Sequence, residues 1–218
     1  MKILCISDQI DPLVYSPLIK ERFADVDLIL SAGDLPLDYL DFIISNLNKP
    51  LFFVFGNHHT EELRHYKGVW DTPFIVNDTE FSGCGAVHIG TKVKIEGKFI
   101  LAGLGGSMRY NGGVNQYTDF QMFIEAAKLI PGLLWNRVFH GRFVDILLTH
   151  APPKGIHDKT DKCHWGFKTY LWFMKVFKPK YLVHGHIHLY DLSDVRCTKW
   201  ESTTVINAYS HHVIDLGD

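Results

Sequence analysis

The chain has 218 residues, 46% apolar and 21% charged, with 22 Lys+Arg against 24 Asp+Glu for a net charge of −2. That composition excludes a disordered or fibrous chain, and the near-neutral balance excludes wide electrostatic capture of a nucleic-acid backbone while allowing one basic cleft. The length predicts one domain over 1–218, and no stretch approaches the roughly 18 consecutive apolar residues of a membrane span.

The opening residues 1–6 turn polar too soon for a signal peptide. The four cysteines, Cys5, Cys84, Cys163 and Cys197, form no CxxC pair and read as reduced thiols of a cytoplasmic protein. Histidine is the unusual residue, with 13 copies, most of them in short polar knots.

Residues 3–6 are an apolar run too short for a helix. Ser7-Asp8 follows at once, which predicts a buried strand with a polar end. Residues 28–30 repeat the theme and end in Ser31-Ala32-Gly33-Asp34; residues 51–55 repeat it and end in Gly56-Asn57-His58-His59. Between them, Leu37, Leu40, Ile44 and Leu47 share one face of a helix over 36–47. Pro36 suits its first turn, and Asn48-Lys49-Pro50 stops it. Strand, helix and strand imply a right-handed crossover.

Residues 86–89, 92–95 and 99–103 are hairpin-spaced around Gly90-Thr91 and Glu96-Gly97, which predicts an antiparallel patch. Residues 105–116 read as a Gly- and Asn-rich loop. A helix is expected over 119–129, closed by Pro131-Gly132, and a strand over 144–148, ending in Thr149-His150. A helix over 166–177 closes at Lys178-Pro179. A strand over 181–183 ends in His184-Gly185-His186-Ile187-His188, and strands over 205–208 and 212–216 finish the chain. One parallel sheet does not need so many strands. Two packed mixed sheets flanked by helices, a four-layer α/β/β/α sandwich, would use them all.

Five strand ends carry candidate metal ligands: Asp8, Asp34, Asn57, His150, and His186 with His188. In open α/β sheets, sites gather at the carboxyl ends of strands. Singly, such an Asp reads as a turn or helix cap and such a His as a satisfied core or surface residue. Turn chemistry does not, however, call for Asn-His-His and His-x-His at successive strand ends. Imidazoles, carboxylates and one amide oxygen, without a thiolate, suit Mn, Fe or Zn in a partly open catalytic site. A carboxylate among neutral imidazoles could bridge two divalent metal ions. Such pairs, about 3.5–4 Å apart, clamp the attacking and leaving oxygens of a displacement at phosphorus.

Taken in order, Asp8, Gly33-Asp34, Gly56-Asn57-His58, His150 and Gly185-His186-Ile187-His188 resemble the five motifs of the calcineurin-like metallophosphoesterases, from residue 8 to residue 188. The resemblance implies two sheets between helical layers and two-metal hydrolysis of a phosphomonoester or phosphodiester. It implies Asp34 as the bridging ligand, Asp8 and His188 on one ion, and Asn57, His150 and His186 on the other. A metal-bound hydroxide would attack, and His58 would protonate the leaving alkoxide. Paired cations bring the pKa of a bound water toward neutrality, and a positioned imidazolium contributes about 10²–10⁴-fold. Two positions depart from the family pattern. Ile10 stands where Asp-x-His places an imidazole, with Asp11 or a His or Asp of residues 157–164 as stand-ins. His59 stands where an acid usually follows the catalytic histidine.

The loop from Gly105 to Gly113 lacks the Lys-Ser/Thr of a P-loop, but Arg109 could hold a phosphate oxygen through its fork; a solvated loop arginine is the plainer reading. Seven lysines against Asp158 and Asp161 over 154–180 read first as a solvated helix face, and second as steering for an anionic substrate. Phe167, Leu171 and Met174 form a core stripe. Trp165 and Trp172 suit a helix-packing seam, a subunit contact or a wall beside the substrate. His88, His140, His211 and His212 belong to no motif and read as structural.

The sequence therefore points to a small phosphoester substrate, with no broad nucleic-acid surface and no membrane association; a homo-oligomer is left open. The competing class is a protein-binding scaffold of the same fold with weakened metal chemistry. Ile10 favours it; the retained Asn57, His58, His150, His186 and His188 oppose it.

Overall fold

The computed structural model describes residues 1–58, 85–191 and 193–216. Within them, period-two alternation of apolar side chains builds the layers. In β1 (Lys2–Ser7), Ile3 and Cys5 face one way and Leu4 and Ile6 the other; in β2 (Val26–Ser31), Leu28 and Leu30 oppose Ile29. One set joins an apolar layer between two sheets. The other packs against helices α1 (Ile19–Arg22) and α2 (Leu37–Leu47). Parallel strands buried on both faces have this near-continuous apolar sequence.

The first sheet has the order β13–β1–β2–β3–β4, with β3 at Leu51–Phe53, β4 at Val87–His88 and β13 at Ser210–Asp215. The second has the order β11–β12–β10–β9–β6–β5. Its strands are β5 (Val93–Glu96), β6 (Phe99–Leu104), β9 (Ile146–Thr149), β10 (Tyr181–His184), β11 (Cys197–Trp200) and β12 (Thr203–Asn207). The inner strands of each sheet are parallel; β13, β5 and β11 add antiparallel edges. Leu101, Ile146, Leu148, Val183 and Ile206 meet the first sheet's Ile3, Leu28 and Phe52. On the outer face, Leu147, Leu182 and Val205 pack against α3 (Asp119–Ala127), α4 (Ile130–His140) and α5 (Lys168–Phe177). Two mixed sheets flanked by helices result, as the strand count predicts.

The differences from expectation have local causes. Pro131 does not end a helix but occupies the first turn of α4, where its missing N–H costs nothing. The predicted antiparallel patch is divided between sheets: β4 extends the first sheet in parallel with β3, and only β5 and β6 form the hairpin. The 105–116 loop carries a short parallel ladder, β7 (Ser107–Met108) with β8 (Gln116–Tyr117). Trp172 lies in a seam against Phe123 of α3, with ring centroids 4.8 Å apart. Trp165 is partly exposed beneath the Lys154 ammonium. Among the described residues, Cys5, Cys163 and Cys197 are free thiols, and no helix is long and apolar enough to cross a membrane.

Candidate metal centre

The parallel inner strands of both sheets turn their carboxyl ends to a common rim. Asp8, Asp34 and His186 each leave a strand in the left-handed region, at φ 62°, 55° and 66°. This conformation is uncommon for side-chain-bearing residues, and here it bends three polar side chains back over the sheet ends. Two glycines make room for them. A Cβ on Gly56 would collide with the Asp34 carboxylate, and one on Gly185 with that of Asp8.

Both buried histidines are oriented by a backbone partner. His150, fully buried, donates from Nδ1 to the Ala32 carbonyl at 2.8 Å, which fixes its tautomer. Its Nε2 faces Asn57 Oδ1 at 3.1 Å and Asp34 Oδ2 at 3.2 Å. His186 donates from Nε2 to the Cys163 carbonyl at 2.7 Å, leaving Nδ1 as its lone pair. Metal-bound histidines have this pattern, one nitrogen tied to a carbonyl and the other presented. Donor atoms of Asp34, His150 and His186 lie within 4.8 Å of one another.

The cluster demands positive charge. Burial opposes a proton on His150, but the Asp34 and Asp8 carboxylates outweigh it and raise its pKa to about 9. Burial and the charge on His150 then hold His186 below the usual imidazole range. Acceptors converging on one space, with their histidines pre-oriented, fit a divalent cation.

The Asp8 end differs. Asp8 Oδ2 already accepts the His186 backbone N–H at 2.8 Å, and Oδ1 is 3.8 Å from His188 Nε2. His188 hydrogen-bonds Tyr190 Oη through Nδ1 at 2.6 Å and stacks on Tyr209 at 4.9 Å. Ile10 is 42% exposed and offers no donor. Asp11 does not stand in for the missing imidazole. Its oxygens accept from Leu13 N–H, Ser210 Oγ and His211 Nδ1, so it secures β13. His157 is also committed, with Nδ1 to His184 Nε2 and Nε2 to Thr198 Oγ1, both at 2.8 Å. Asp158 takes the backbone N–H groups of Gly155 and Gly166. The ring of His164 lies 5.4 Å from that of His186.

His58 is exposed at the rim, and its backbone N–H donates to Asp34 Oδ1 at 3.0 Å. His59 lies outside the described residues. Arg109 is exposed and donates to Gln121 Oε1 at 3.1 Å. The loop residue that reaches the cluster is its neighbour Tyr110, whose hydroxyl accepts from Asn57 Nδ2 at 3.4 Å. The sequence reading gave no role to Tyr110, Tyr190, Tyr209 or the Cys163 carbonyl, although Tyr110 adjoins Arg109, Cys163 lies in the 157–164 segment and Tyr190 stands two residues past His188.

The calcineurin-like phosphoesterase family model matches residues 1–190. A search of curated proteins gives no match. One crystal structure, 16% identical, covers 99% of this chain and 95% of its own with a TM-score of 0.62. TT1561 of Thermus thermophilus is 12% identical over 95% of this chain and 88% of its own, with a TM-score of 0.60. GAP50, the anchor in the inner membrane complex of Plasmodium, is 12% identical over 95% and 70%, with a TM-score of 0.51. At these identities the structural likenesses establish the fold alone. The match of the family model over most of its length places this chain in the calcineurin-like phosphoesterase family.

Proposed function

We propose that the protein hydrolyses a small phosphoester with two divalent cations, held by Asp34 in common. Asn57, His150 and His186 complete one ion's shell, and Asp8 and His188 serve the other. The observation that carries the reading is the convergence of Asp34, Asn57 and His150, with both buried histidines oriented by backbone carbonyls. Bound cations of this kind supply Lewis acidity, neutralising phosphate charge and acidifying a water. Mn, Fe and Zn all suit the donor set.

The chain's own groups do the rest. His58, tied through its N–H to Asp34 and open to solvent, is assigned the proton that converts a departing alkoxide into a neutral alcohol. Arg109 is assigned a phosphate oxygen, exchanging its bond to Gln121 for a charge-assisted one. If so, Arg109→Ala raises KM severalfold with kcat nearly unchanged; an unchanged KM removes the assignment. A cleft of about 370 Å³ opens beside His188, lined by Ile156, Ile187, Leu189 and Lys159. Asp158 and Asp194 line it beside Lys159, so these mixed walls suit a polar, uncharged remainder of the substrate. The single-domain organisation over 1–218 belongs to the same proposal.

A second reading has two observations in its favour. The Asp8 end lacks an imidazole at Ile10 and stands open, and the fold also serves GAP50, an anchor. A non-catalytic scaffold would fit these. Metal analysis of the purified protein, with turnover of aryl phosphomonoesters, aryl phosphodiesters and cyclic nucleotides in added Mn²⁺, separates the two. Metal-dependent turnover of any one supports the enzyme. A folded, metal-loaded protein that turns over none overturns it.

A further inference from the structure

We infer that Asp161, Cys163 and His164 form a third cation site, taking one thiophilic divalent ion of the zinc class, beside the phosphoesterase centre and chemically distinct from it. The three donors come from one turn: Asp161 precedes a single 3₁₀ turn, Lys162–His164. Their donor atoms lie within 4.8 Å of one another. Cys163 Sγ and His164 Nδ1 both reach Asp161 Oδ2, at 2.7 and 2.5 Å, and stand 3.5 Å apart.

That last distance is the informative one. Zinc–sulfur and zinc–nitrogen bonds of about 2.3 Å and 2.0–2.1 Å at a tetrahedral angle put sulfur and nitrogen about 3.5 Å apart. The thiol and imidazole thus already span one edge of such a site. Only the Asp161 carboxylate must draw back, and its side chain is half exposed. Two protons now converge on one oxygen; a single cation would replace both.

The turn is held by bonds that do not use the donors. His164 N–H donates to Asp161 O, Lys159 N–H to His164 O, and the Trp165 indole N–H to Thr160 O. Three protein ligands on a solvent-facing turn leave a fourth position for water. The Cys163 carbonyl is the group that orients His186, so an ion here would pin the peptide behind one of the buried histidines.

Cobalt(II) is the probe. Thiolate-to-cobalt charge transfer absorbs in the near ultraviolet, and the residues assigned to the phosphoesterase centre contain no sulfur. The band therefore reports a thiolate site and not the phosphoesterase centre. Titration of the full chain under a phosphine reductant should raise the band to the amplitude of one thiolate–cobalt bond per chain once the phosphoesterase ions are filled, and Zn²⁺ should displace it. Cys163→Ser should abolish it, and the Cys84→Ser/Cys197→Ser double variant should keep it. His164→Ala and Asp161→Asn should each weaken cobalt binding at least about tenfold, as loss of a ligand does. No band at saturating cobalt overturns the site. So does a band that survives Cys163→Ser, or one undiminished by both His164→Ala and Asp161→Asn, which would be a lone-thiol adduct. Failure here leaves the phosphoesterase reading standing, because that reading is judged on turnover.

Discussion

On the Asp34 side of the candidate metal centre, each histidine has one nitrogen spent on a backbone carbonyl and the other aimed inward, and Asn57 and His150 are almost wholly enclosed. On the Asp8 side, a carboxylate oxygen is spent on a backbone N–H. His188 stands 3.8 Å away against two tyrosines, and an exposed isoleucine fills the place of a ligand. The first side is organised before any cation arrives, so binding there costs little reordering. The second has a buried carboxylate, Asp8, but must draw in His188 from a more solvated surface. On the proposed two-ion reading, unequal affinity follows, with one ion held tightly and one readily exchanged, and the Asp8 side is the one that adjoins the cleft.

The largest expected effect breaks the comparison altogether. Asp34→Asn removes the carboxylate common to both sides, and should lower bound metal and cut turnover by about 10³-fold or more in a folded protein. Metal analysis alongside kcat/KM checks it; near-native turnover would remove Asp34 from the centre.

His58→Ala comes next. It should leave the metal count unchanged and slow substrates with alkoxide leaving groups about 10²-fold, while nitrophenyl esters, which need little protonation, lose far less. A leaving-group series measures the difference, and equal losses across the series would reject the proton-donor role.

Ile10→His sharpens the contrast by supplying the open side with an imidazole. The weaker ion should then bind about tenfold more tightly. Calorimetric titration with Mn²⁺ should find one tight and one weak site in the native protein, converging in the variant. Two equally tight sites in the native protein would mean that another residue replaces the imidazole.

The smallest effect concerns the wall behind the open side. Burial holds the His157 pKa at about 4, against an ordinary value of 6.5. The unfolded chain therefore takes up this proton first as pH falls. The contribution of neutral His157 is complete above about pH 6.5 and is lost as pH drops toward 4. His157→Gln should flatten the pH dependence of unfolding between pH 7 and 5 by on the order of 1 kcal/mol, discounted for partial exposure. Denaturant melts at the two pH values read it, and an unchanged slope would show that His157 is protonated in the fold.

Much of this was legible in the chain because the signals are local. Continuous apolar runs at 3–6 and 28–30 announce strands buried on both faces, and polar residues directly after them announce strand ends. Gly33, Gly56 and Gly185 stand beside the ligand candidates because no Cβ fits where backbone and carboxylate approach so closely. Pro131 was ambiguous for an equally local reason: one residue can follow a helix or open the next, and only the packing of Leu133 beneath the second sheet decides between them.

By itself the sequence determined the alternation of layers, the strand ends that carry Asp8, Asp34, Asn57, His150, His186 and His188, and the lack of an imidazole at position 10. Only the tertiary structure decided which nitrogen each histidine presents, because the deciding carbonyls, Ala32 and Cys163, lie 118 and 23 residues from their partners. It also decided that Asp11 turns away to bind Ser210 and His211, at the far end of the chain, and that Tyr110 rather than Arg109 touches Asn57. Periodicity reports which face of an element is buried. A hydrogen-bond partner across two stacked sheets depends on register and stacking, which no local pattern encodes.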